Sequence, residues 1–242
     1  ERIQAELVKL LVSPHPDYLR VAYETGITRE FLPEFDLCME TEQNTPYHCF
    51  TVGEHILHSL LYVEADKVLR FTMLLHDVAK PVCRTTDENG TDHFYGHPQK
   101  GSEMARMILR RLKFDNDTTD RVSALVRWHD DNPELSPRSV RRAISRIGLE
   151  RYPALFAVKR ADTLAQSMYR REEKLKYLHD YEMLYQEVME KQQCLTIKQL
   201  AVTGSDLIEA GMQPGKEIGS VLKKLLELVL EDPELNTKEK LL

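Results

Sequence analysis

Apolar residues recur with helical spacing along nearly all of this 242-residue chain. Positions three and four residues apart predict amphipathic α-helices, whereas the strict alternation typical of strands is almost absent. Thr51 and Glu54 match a capping box and predict a helix whose buried face carries Val52, Ile56 and Leu60. The pattern as a whole therefore predicts an all-α protein.

A second helix is predicted from about Asp66, with Pro81 as its stop because proline lacks the amide proton of a helix interior. We expect His76, Asp77 and Lys80 in the last turn of this helix. Lys80 then lies on the same face as the other two, three and four residues further along. Its ammonium group is a candidate for holding a phosphate oxygen.

One short β-hairpin interrupts the helical pattern. Asn89-Gly90 favours a two-residue type I′ turn between residues 83–86 and 93–95. Further helices are predicted after Pro98, over about 119–130, between Ser136-Pro137 and Gly148, and from 153 to 193 with a break near residue 170. After Leu195 a short helix, a Pro-Gly turn and an amphipathic helix over 218–230 predict a small terminal module.

Composition narrows the class of protein without naming a function. A hydrophobic content of 42% supports a globular core, and the net charge of -6 argues against a uniformly basic nucleic-acid binder. The four cysteines form no CxxC pair, which favours reduced thiols. No apolar run reaches the ~20 residues of a membrane span. We predict a soluble, cytoplasmic protein without a membrane partner; its oligomeric state stays open.

Six histidine and aspartate residues fall on or at the ends of five successive predicted helical segments, each beside apolar residues. They are His55, His76, Asp77, His97, His129 and Asp162. Convergence of such side chains is how helical bundles form metal sites. Imidazole with carboxylate suits Mn, Fe, Ni, Co or Zn, whereas Mg prefers more oxygen ligands. Consecutive helical residues diverge by about 100°, so His76 and Asp77 can share one ion only at close range, or Asp77 bridges two.

A structural role is the alternative for each of these residues taken singly, because a lone histidine on an apolar face is often a core residue. His48, His58 and His93 lie close in sequence and are interpreted as supporting or structural neighbours. Basic residues at helical spacing form a second candidate site, for RNA phosphates, with a solvated helix face as the alternative. They are Arg138, Arg141, Arg142, Arg146, Lys216, Lys223 and Lys224.

The ordered set of six resembles the HD superfamily of metal-dependent phosphohydrolases. The strings LLHDVAKP at 74–81, TDENGT at 86–91, HFYGH at 93–97 and RLKFDN at 111–116 are similar to the HD segment of bacterial tRNA nucleotidyltransferases, the CCA-adding enzyme and poly(A) polymerase family. VKRADTLAQS at 158–167 and the tail from Thr203 to Asn236 resemble later parts of that family. The resemblance covers nearly the whole chain.

The resemblance implies an HD-domain helical bundle with one short β-hairpin and a small helical tail module. It divides the chain into a helical neck-like segment (1–47), an HD domain (48–170), and a long helix with the tail module (171–242). It implies one or two divalent ions (Mn, Ni, Fe, Co, Zn or Mg), with Asp77 and Lys80 as the catalytic residues. The expected activity is hydrolysis of phosphomonoesters or 2′,3′-cyclic phosphodiesters, and the expected partners are tRNA or a nucleotide phosphoester.

One departure limits the resemblance. The chain has no glycine-serine loop followed by a strand with Asp-x-Asp, which would hold the nucleotide and two magnesium ions for polymerisation. We therefore expect nucleotide addition to need a head domain preceding Glu1, within a longer protein. Two alternatives stay open: a tRNA-binding body and tail with a residual HD site, and a free-standing hydrolase acting on alarmones, dNTPs or other nucleotides.

Overall fold

The computed structural model describes all 242 residues and confirms the all-α class with one short hairpin. The helices are α1 Arg2–Leu11, α2 Leu19–Glu24, α3 Pro33–Met39, α4 Val52–Leu60, α5 Lys67–Leu75, α6 Lys80–Cys83, α7 His97–Arg111, α8 Asn116–Trp128, α9 Pro137–Ile147, α10 Tyr152–Ala165, α11 Arg171–Glu190, α12 Gly204–Glu209, α13 Lys216–Glu231 and α14 Lys238–Leu241. The strands are β1 Thr85–Thr86 and β2 Asp92–His93. None of the helices combines the length and apolar character needed to cross a bilayer.

Side-chain caps begin the helices that position the site. The Thr51 hydroxyl accepts from the Glu54 amide at 3.2 Å, and the Asp66 carboxylate accepts from the Leu69 amide at 2.9 Å. Each cap satisfies one amide that lacks a partner within its helix. The predicted starts of α4 and α5 are therefore confirmed. Helix α8 begins three residues earlier than predicted, because Asp115 caps it.

The predicted end of α5 is wrong, and its observed end changes the position of Asp77 relative to His76. The helix ends at Leu75, so His76 is its C-terminal cap and Asp77 lies in the following turn. Pro81 stands in the first turn of the short helix α6, where a missing amide proton costs nothing, so it begins a helix here. Because Asp77 lies outside the regular helix, its side chain is not held about 100° away from that of His76.

The hairpin is confirmed, but its predicted two-residue turn is wrong. Thr85 pairs with His93 and Thr86 with Asp92, which leaves residues 87–91 as a five-residue connection. The carboxylate of Asp87 accepts from the amides of Asn89 at 2.9 Å and Thr91 at 3.0 Å. These bonds let one aspartate organise a longer loop than Asn89-Gly90 alone would favour.

Asp92 anchors this hairpin to the preceding loop. Its buried carboxylate accepts from the amide of Asn44 at 2.8 Å and the hydroxyl of Thr86 at 2.8 Å, and Arg84 lies 2.9 Å away. Burial alone would raise the pKa of Asp92, but these donors lower it to about 2. The loop around residue 44 and the hairpin thus form one fixed wall.

The chain divides into two compact units. The first comprises Glu1–Asp131 and Pro153–Leu178, and the second Asn132–Tyr152 and His179–Leu242. In the first unit α8 packs against α7 and α5, and α4 packs against α3 and α5. In the second unit α13 packs against α9 and α12, around a core of Cys194, Leu200, Val202, Leu207, Val229 and Leu241. The predicted boundaries of the neck-like segment, the HD domain and the tail, near residues 47 and 170, stay predictions.

Close packing at Gly53 yields a stability prediction. A Cβ there would lie 2.6 Å from the backbone nitrogen of Met39, whereas one at Gly219 in α13 would meet nothing within 4 Å. Gly53→Ala is expected to lower the free energy of unfolding by about 1–3 kcal/mol through overpacking of α3 on α4. Gly219→Ala is expected to raise it by up to about 1 kcal/mol, because alanine favours a helix interior. Urea unfolding of both variants checks this; similar effects would contradict it.

Candidate metal centre

The structure brings all six predicted ligand candidates together within the first compact unit. His55 lies in α4, His76 and His129 are the C-terminal caps of α5 and α8, and His97 is the first residue of α7. Asp77 follows α5 directly, and Asp162 lies in α10. The four histidines and Asp77 are buried. Their role as metal ligands stays a prediction that this convergence supports.

Backbone carbonyls fix the orientation of three of these imidazole rings. Nδ1 of His76 lies 2.7 Å from the Met73 carbonyl, and Nδ1 of His129 lies 2.7 Å from that of Val126. Nδ1 of His97 lies 2.8 Å from the carbonyl of Phe94. A carbonyl oxygen only accepts, so each Nδ1 carries the proton. In a neutral ring the other nitrogen, Nε2, then keeps its lone pair.

The Nε2 atoms of all four histidines, His55 included, face one another in pairs at the centre of the cluster. Nε2 of His55 and His76 lie 3.2 Å apart, and Nε2 of His97 and His129 lie 3.3 Å apart. Two lone pairs at such a distance repel unless a cation or proton lies between them. Burial lowers the pKa of His129 to about 3, so this ring is neutral at pH 7 and offers its nitrogen as a ligand.

Asp77 lies between the two histidine pairs. One carboxylate oxygen, Oδ2, is 3.5 Å from Nε2 of His55 and 3.4 Å from Nε2 of His76. The other, Oδ1, is 3.3 Å from Nε2 of His97 and 3.7 Å from Nε2 of His129. The result is two groups of three candidate ligands that share Asp77. This geometry suits a carboxylate that bridges two ions.

Asp162 completes the first group, because its Oδ1 lies 2.9 Å from Nε2 of His55. Burial alone would raise the pKa of Asp77, yet Lys80 and His76 lower it well below its ordinary value. Burial alone would lower the pKa of His76, yet Asp77 and Asp162 raise it. Burial alone would also raise the pKa of Asp162, yet its contacts with His55 and His76 lower it well below its ordinary value. The two carboxylates are therefore ionised and stabilise positive charge at the centre of the cluster.

Lys80 is held inside the protein. Its Nζ lies 2.7 Å from Oδ2 of Asp77, in an ion pair that lacks hydrogen-bond geometry. The same Nζ donates a hydrogen bond to Oε1 of Gln43 at 2.9 Å. The Nε2 atom of His48 lies 3.5 Å away. Burial and the charge of Lys80 lower the pKa of His48 to about 2, so His48 is neutral. Lys80 thus orients Asp77, and its predicted contact with a phosphate oxygen stays untested.

A pocket of about 450 Å³ lies over this cluster. Its floor includes Asp77, His97, His129 and Asp162, and its walls come from residues 45–48, residues 91–98 and the side chains of Gln166 and Lys174. Asp130 also lines the pocket. Such a volume lies within the range of small-ligand sites.

Sequence reasoning missed Gln166 and Lys174. Gln166 follows Asp162 by four residues, so helical spacing alone could have placed its amide beside the cluster. Its Nε2 donates to Oδ1 of Asp162 at 3.1 Å. No comparable signal exists for Lys174, because a break in the helix separates it from Asp162 and local spacing does not cross such a break.

The predicted RNA-binding arginines of α9 are placed differently from one another. Arg141 is 5% exposed, and it donates to the carbonyl oxygens of Leu230 and Glu231, both at 2.9 Å. It therefore satisfies carbonyls at the C-terminal end of α13, and as a buried side chain it is not placed to contact RNA. Arg138 and Arg142 are exposed but pair with the carboxylate of Glu231.

The remaining predicted RNA contacts lie at the protein surface. Arg146 is exposed in the last turn of α9. Lys216, Lys223 and Lys224 are exposed on α13, where they have access to a phosphate backbone. Whether any of these residues binds RNA stays a prediction.

The fold and the cluster define an all-helical protein with a candidate metal centre where α4, α5, α7, α8 and α10 converge. The chain belongs to the family described as tRNA nucleotidyltransferase domain 2, putative, whose model matches residues 97–242. A second family model, probable RNA and SrmB-binding site of polymerase A, matches residues 1–39.

Curated relatives agree with this assignment. A CC-adding tRNA nucleotidyltransferase of Thermus thermophilus is 34% identical over 99% of the chain and 54% of the relative. An A-adding tRNA nucleotidyltransferase of Deinococcus radiodurans is 30% identical over 94% of the chain and 54% of the relative. A multifunctional CCA protein of Cupriavidus metallidurans is 28% identical over 65% of the chain and 39% of the relative. The chain thus spans about half the length of the first two.

Proposed function

We propose that this chain is a metal-dependent phosphohydrolase of the HD type, acting on phosphomonoesters or 2′,3′-cyclic phosphodiesters. We further propose that it forms the tRNA-binding C-terminal part of a CCA-adding nucleotidyltransferase-like protein. The observation that carries the first proposal is the inward-facing set of Nε2 lone pairs around Asp77. A buried polar cluster of this kind is costly without a cation to satisfy it.

The residues present fit a divalent transition metal. His55, His76, Asp77 and Asp162 would hold one ion, and Asp77, His97 and His129 a second. The carbonyl-anchored Nδ1 atoms are the orienting contacts that metal-binding histidines ordinarily have. Oδ2 of Asp77 is buried without a hydrogen bond, which leaves a lone pair for a ligand bond. When bound, such a metal supplies Lewis-acid polarisation of a phosphate and lowers the pKa of water.

The other residues supply orientation, shielding and a proton. Lys80, which is itself held by Gln43, orients the carboxylate of Asp77 through its ion pair. The hairpin and the loop carrying Tyr47 line the pocket and shield one side of the cluster. The Asp130 carboxyl lines the same pocket, and we assign it to protonating the leaving oxygen.

The hydrolase proposal is tested on chain purified without chelator. Turnover of adenosine 2′,3′-cyclic phosphate and p-nitrophenyl phosphate is measured with added manganese, nickel, cobalt, iron, zinc or magnesium. We expect metal-dependent turnover that EDTA abolishes and that added metal restores. No turnover above a metal-only blank with any of the six ions would contradict the proposal.

tRNA binding is supported by different observations: the match of residues 1–39 to an RNA-binding family model, and relatives named as tRNA nucleotidyltransferases. Lys223 and Lys224 lie exposed on α13 of the second unit. Phosphate contacts release counterions, so the logarithm of affinity falls with the logarithm of salt concentration.

The double variant Lys223→Ala/Lys224→Ala is expected to bind tRNA more weakly. If both residues contact phosphates, its salt slope is shallower by about two units. Filter binding across a salt series measures the slope. A control that replaces Lys67 and Lys100, surface lysines of the first unit, is expected to keep the wild-type slope. Identical slopes for all three proteins would assign Lys223 and Lys224 to the solvated surface.

A further inference from the structure

Two lysines line the pocket, and they differ in what already surrounds their ammonium groups. Lys80 is 6% exposed and lies within 3.5 Å of Asp77, Gln43 and His48. An ammonium group has three protons to donate, and these neighbours occupy its surroundings. Lys80 is therefore poorly placed to take a further acceptor from a ligand.

Lys174 of α11 has capacity left for a ligand. Its Nζ makes one hydrogen bond, to Oε1 of Gln166, and lies 4.3 Å from the centroid of the Tyr47 ring. Contact with the ring face attracts the ammonium without using a proton in a hydrogen bond. Two of its protons thus remain available to the pocket that this side chain lines.

Gln166 connects Lys174 to the ligand cluster. Its amide oxygen accepts from Lys174 while its amide nitrogen donates to Oδ1 of Asp162 at 3.1 Å. The wall that carries Tyr47 is fixed to the same segment, because Ser167 donates through its amide to the Tyr47 carbonyl at 2.8 Å. The Lys174 ammonium is thereby linked to Asp162 of the cluster through a single side chain.

An aromatic surface lies at the rim of the same pocket. The ring of Tyr95 is 78% exposed and stacks on His93 with 5.3 Å between ring centroids and 5° between ring planes. A flat, solvent-facing pair of rings suits stacking of a nucleobase, which is sequence-tolerant because every base has an aromatic face. The cluster, the Lys174 ammonium and the ring pair thus line one pocket, and groups of these kinds bind phosphates and nucleobases.

We propose that Lys174 is the phosphate-binding cation of this pocket and that the ligand is a nucleoside phosphate whose base stacks on Tyr95. This inference rests on the proposed phosphohydrolase function and names the substrate class of that site. The nucleoside phosphate is either a free mononucleotide or the 3′ end of an RNA, because both present the same phosphate and base.

The test compares Lys174→Ala and Lys174→Arg with a matched control, Lys176→Ala. Lys176 is an exposed lysine of the same helix, about 200° around its axis from Lys174. Affinity for inorganic phosphate is measured by calorimetry, with and without manganese. Values of KM and kcat are measured for adenosine 2′,3′-cyclic phosphate and for a short RNA ending in a 2′,3′-cyclic phosphate.

Lys174→Ala is expected to weaken phosphate affinity and raise KM for both substrates about ten- to a hundredfold, the range of one charged hydrogen bond. Its kcat is expected to change far less, Lys174→Arg should recover most of the affinity, and Lys176→Ala should match the wild type. Tyr95→Ala should raise KM for both substrates without altering affinity for inorganic phosphate. Circular dichroism confirms that each variant is folded.

The outcomes separate this inference from the function on which it rests. If wild type turns over neither substrate with any metal, the proposed hydrolase is wrong, while the calorimetry still decides the role of Lys174. Equal phosphate affinity in Lys174→Ala and Lys176→Ala, or no phosphate binding by wild type at millimolar concentration, overturns the assignment of Lys174. An unchanged KM in Tyr95→Ala overturns the nucleoside part.

Discussion

Asp77→Asn is expected to lower kcat/KM for adenosine 2′,3′-cyclic phosphate by about 10²–10³-fold or more, the scale of losing one preorganised electrostatic group. Asparagine keeps the size of the side chain but removes its negative charge. Each carboxylate oxygen of Asp77 faces a different histidine pair, so a single substitution affects both candidate ligand groups. Steady-state kinetics with saturating manganese measures the loss.

Asp117→Asn is the matched control for this variant. Asp117 lies on α8 with its side chain 79% exposed and does not line the pocket. We expect wild-type kinetics from it and unchanged helical content from both variants. If Asp77→Asn retained turnover within threefold of the Asp117→Asn protein, the cluster would not be the catalyst, and a binding role for the chain would be favoured.

The sequence sufficed to predict the fold class and the six residues of the cluster for one reason. Each of those residues lies on or directly after a helix and next to apolar positions, and the burial of those positions draws the polar neighbour inward. His129 illustrates this, because the buried residue Val126 of α8 lies three positions before it, on the same face of the helix. Local patterns therefore predicted which residues meet.

Local sequence patterns did not predict the contacts between segments that are distant in the chain. The chain leaves α5 at His76 because the turn to α6 uses Pro81 as a helix start, and a proline is compatible with either role. Arg141 looked like part of a basic surface, but its partners are carbonyls about 90 residues away. Lys174 reaches the pocket only through its contacts with Tyr47 and Gln166.

The number of metal ions that the chain binds is expected to differ between the wild type and variants of the cluster. Wild-type chain is expected to bind about two divalent ions, because Asp77 is shared by two groups of three candidate ligands. His129→Ala removes a ligand of the second group only and is expected to reduce uptake to about one ion. Asp77→Asn affects both groups and is expected to reduce uptake towards none. Elemental analysis after manganese loading and desalting measures these ratios.

Thermal unfolding gives an independent measure of the same sites. A ligand that binds only the folded protein at 100 times its Kd stabilises it by about 2.7 kcal/mol, and for a chain of this size each kcal/mol raises Tm by about 2–4 °C. Manganese is therefore expected to raise the Tm of the wild type by about 5–10 °C, that of His129→Ala by less, and that of Asp77→Asn by little.

His179→Ala serves as the control for metal uptake, because His179 is exposed on α11 and lies outside the cluster. It should match the wild type in both stoichiometry and Tm shift. Loss of one ion in His129→Ala with loss of both in Asp77→Asn would support two ions sharing Asp77. Wild-type uptake of one ion that His129→Ala retains would restrict the site to His55, His76, Asp77 and Asp162. No uptake and no Tm shift in the wild type would exclude the cluster as a metal centre, since the facing Nε2 atoms would then be held together by shared protons alone.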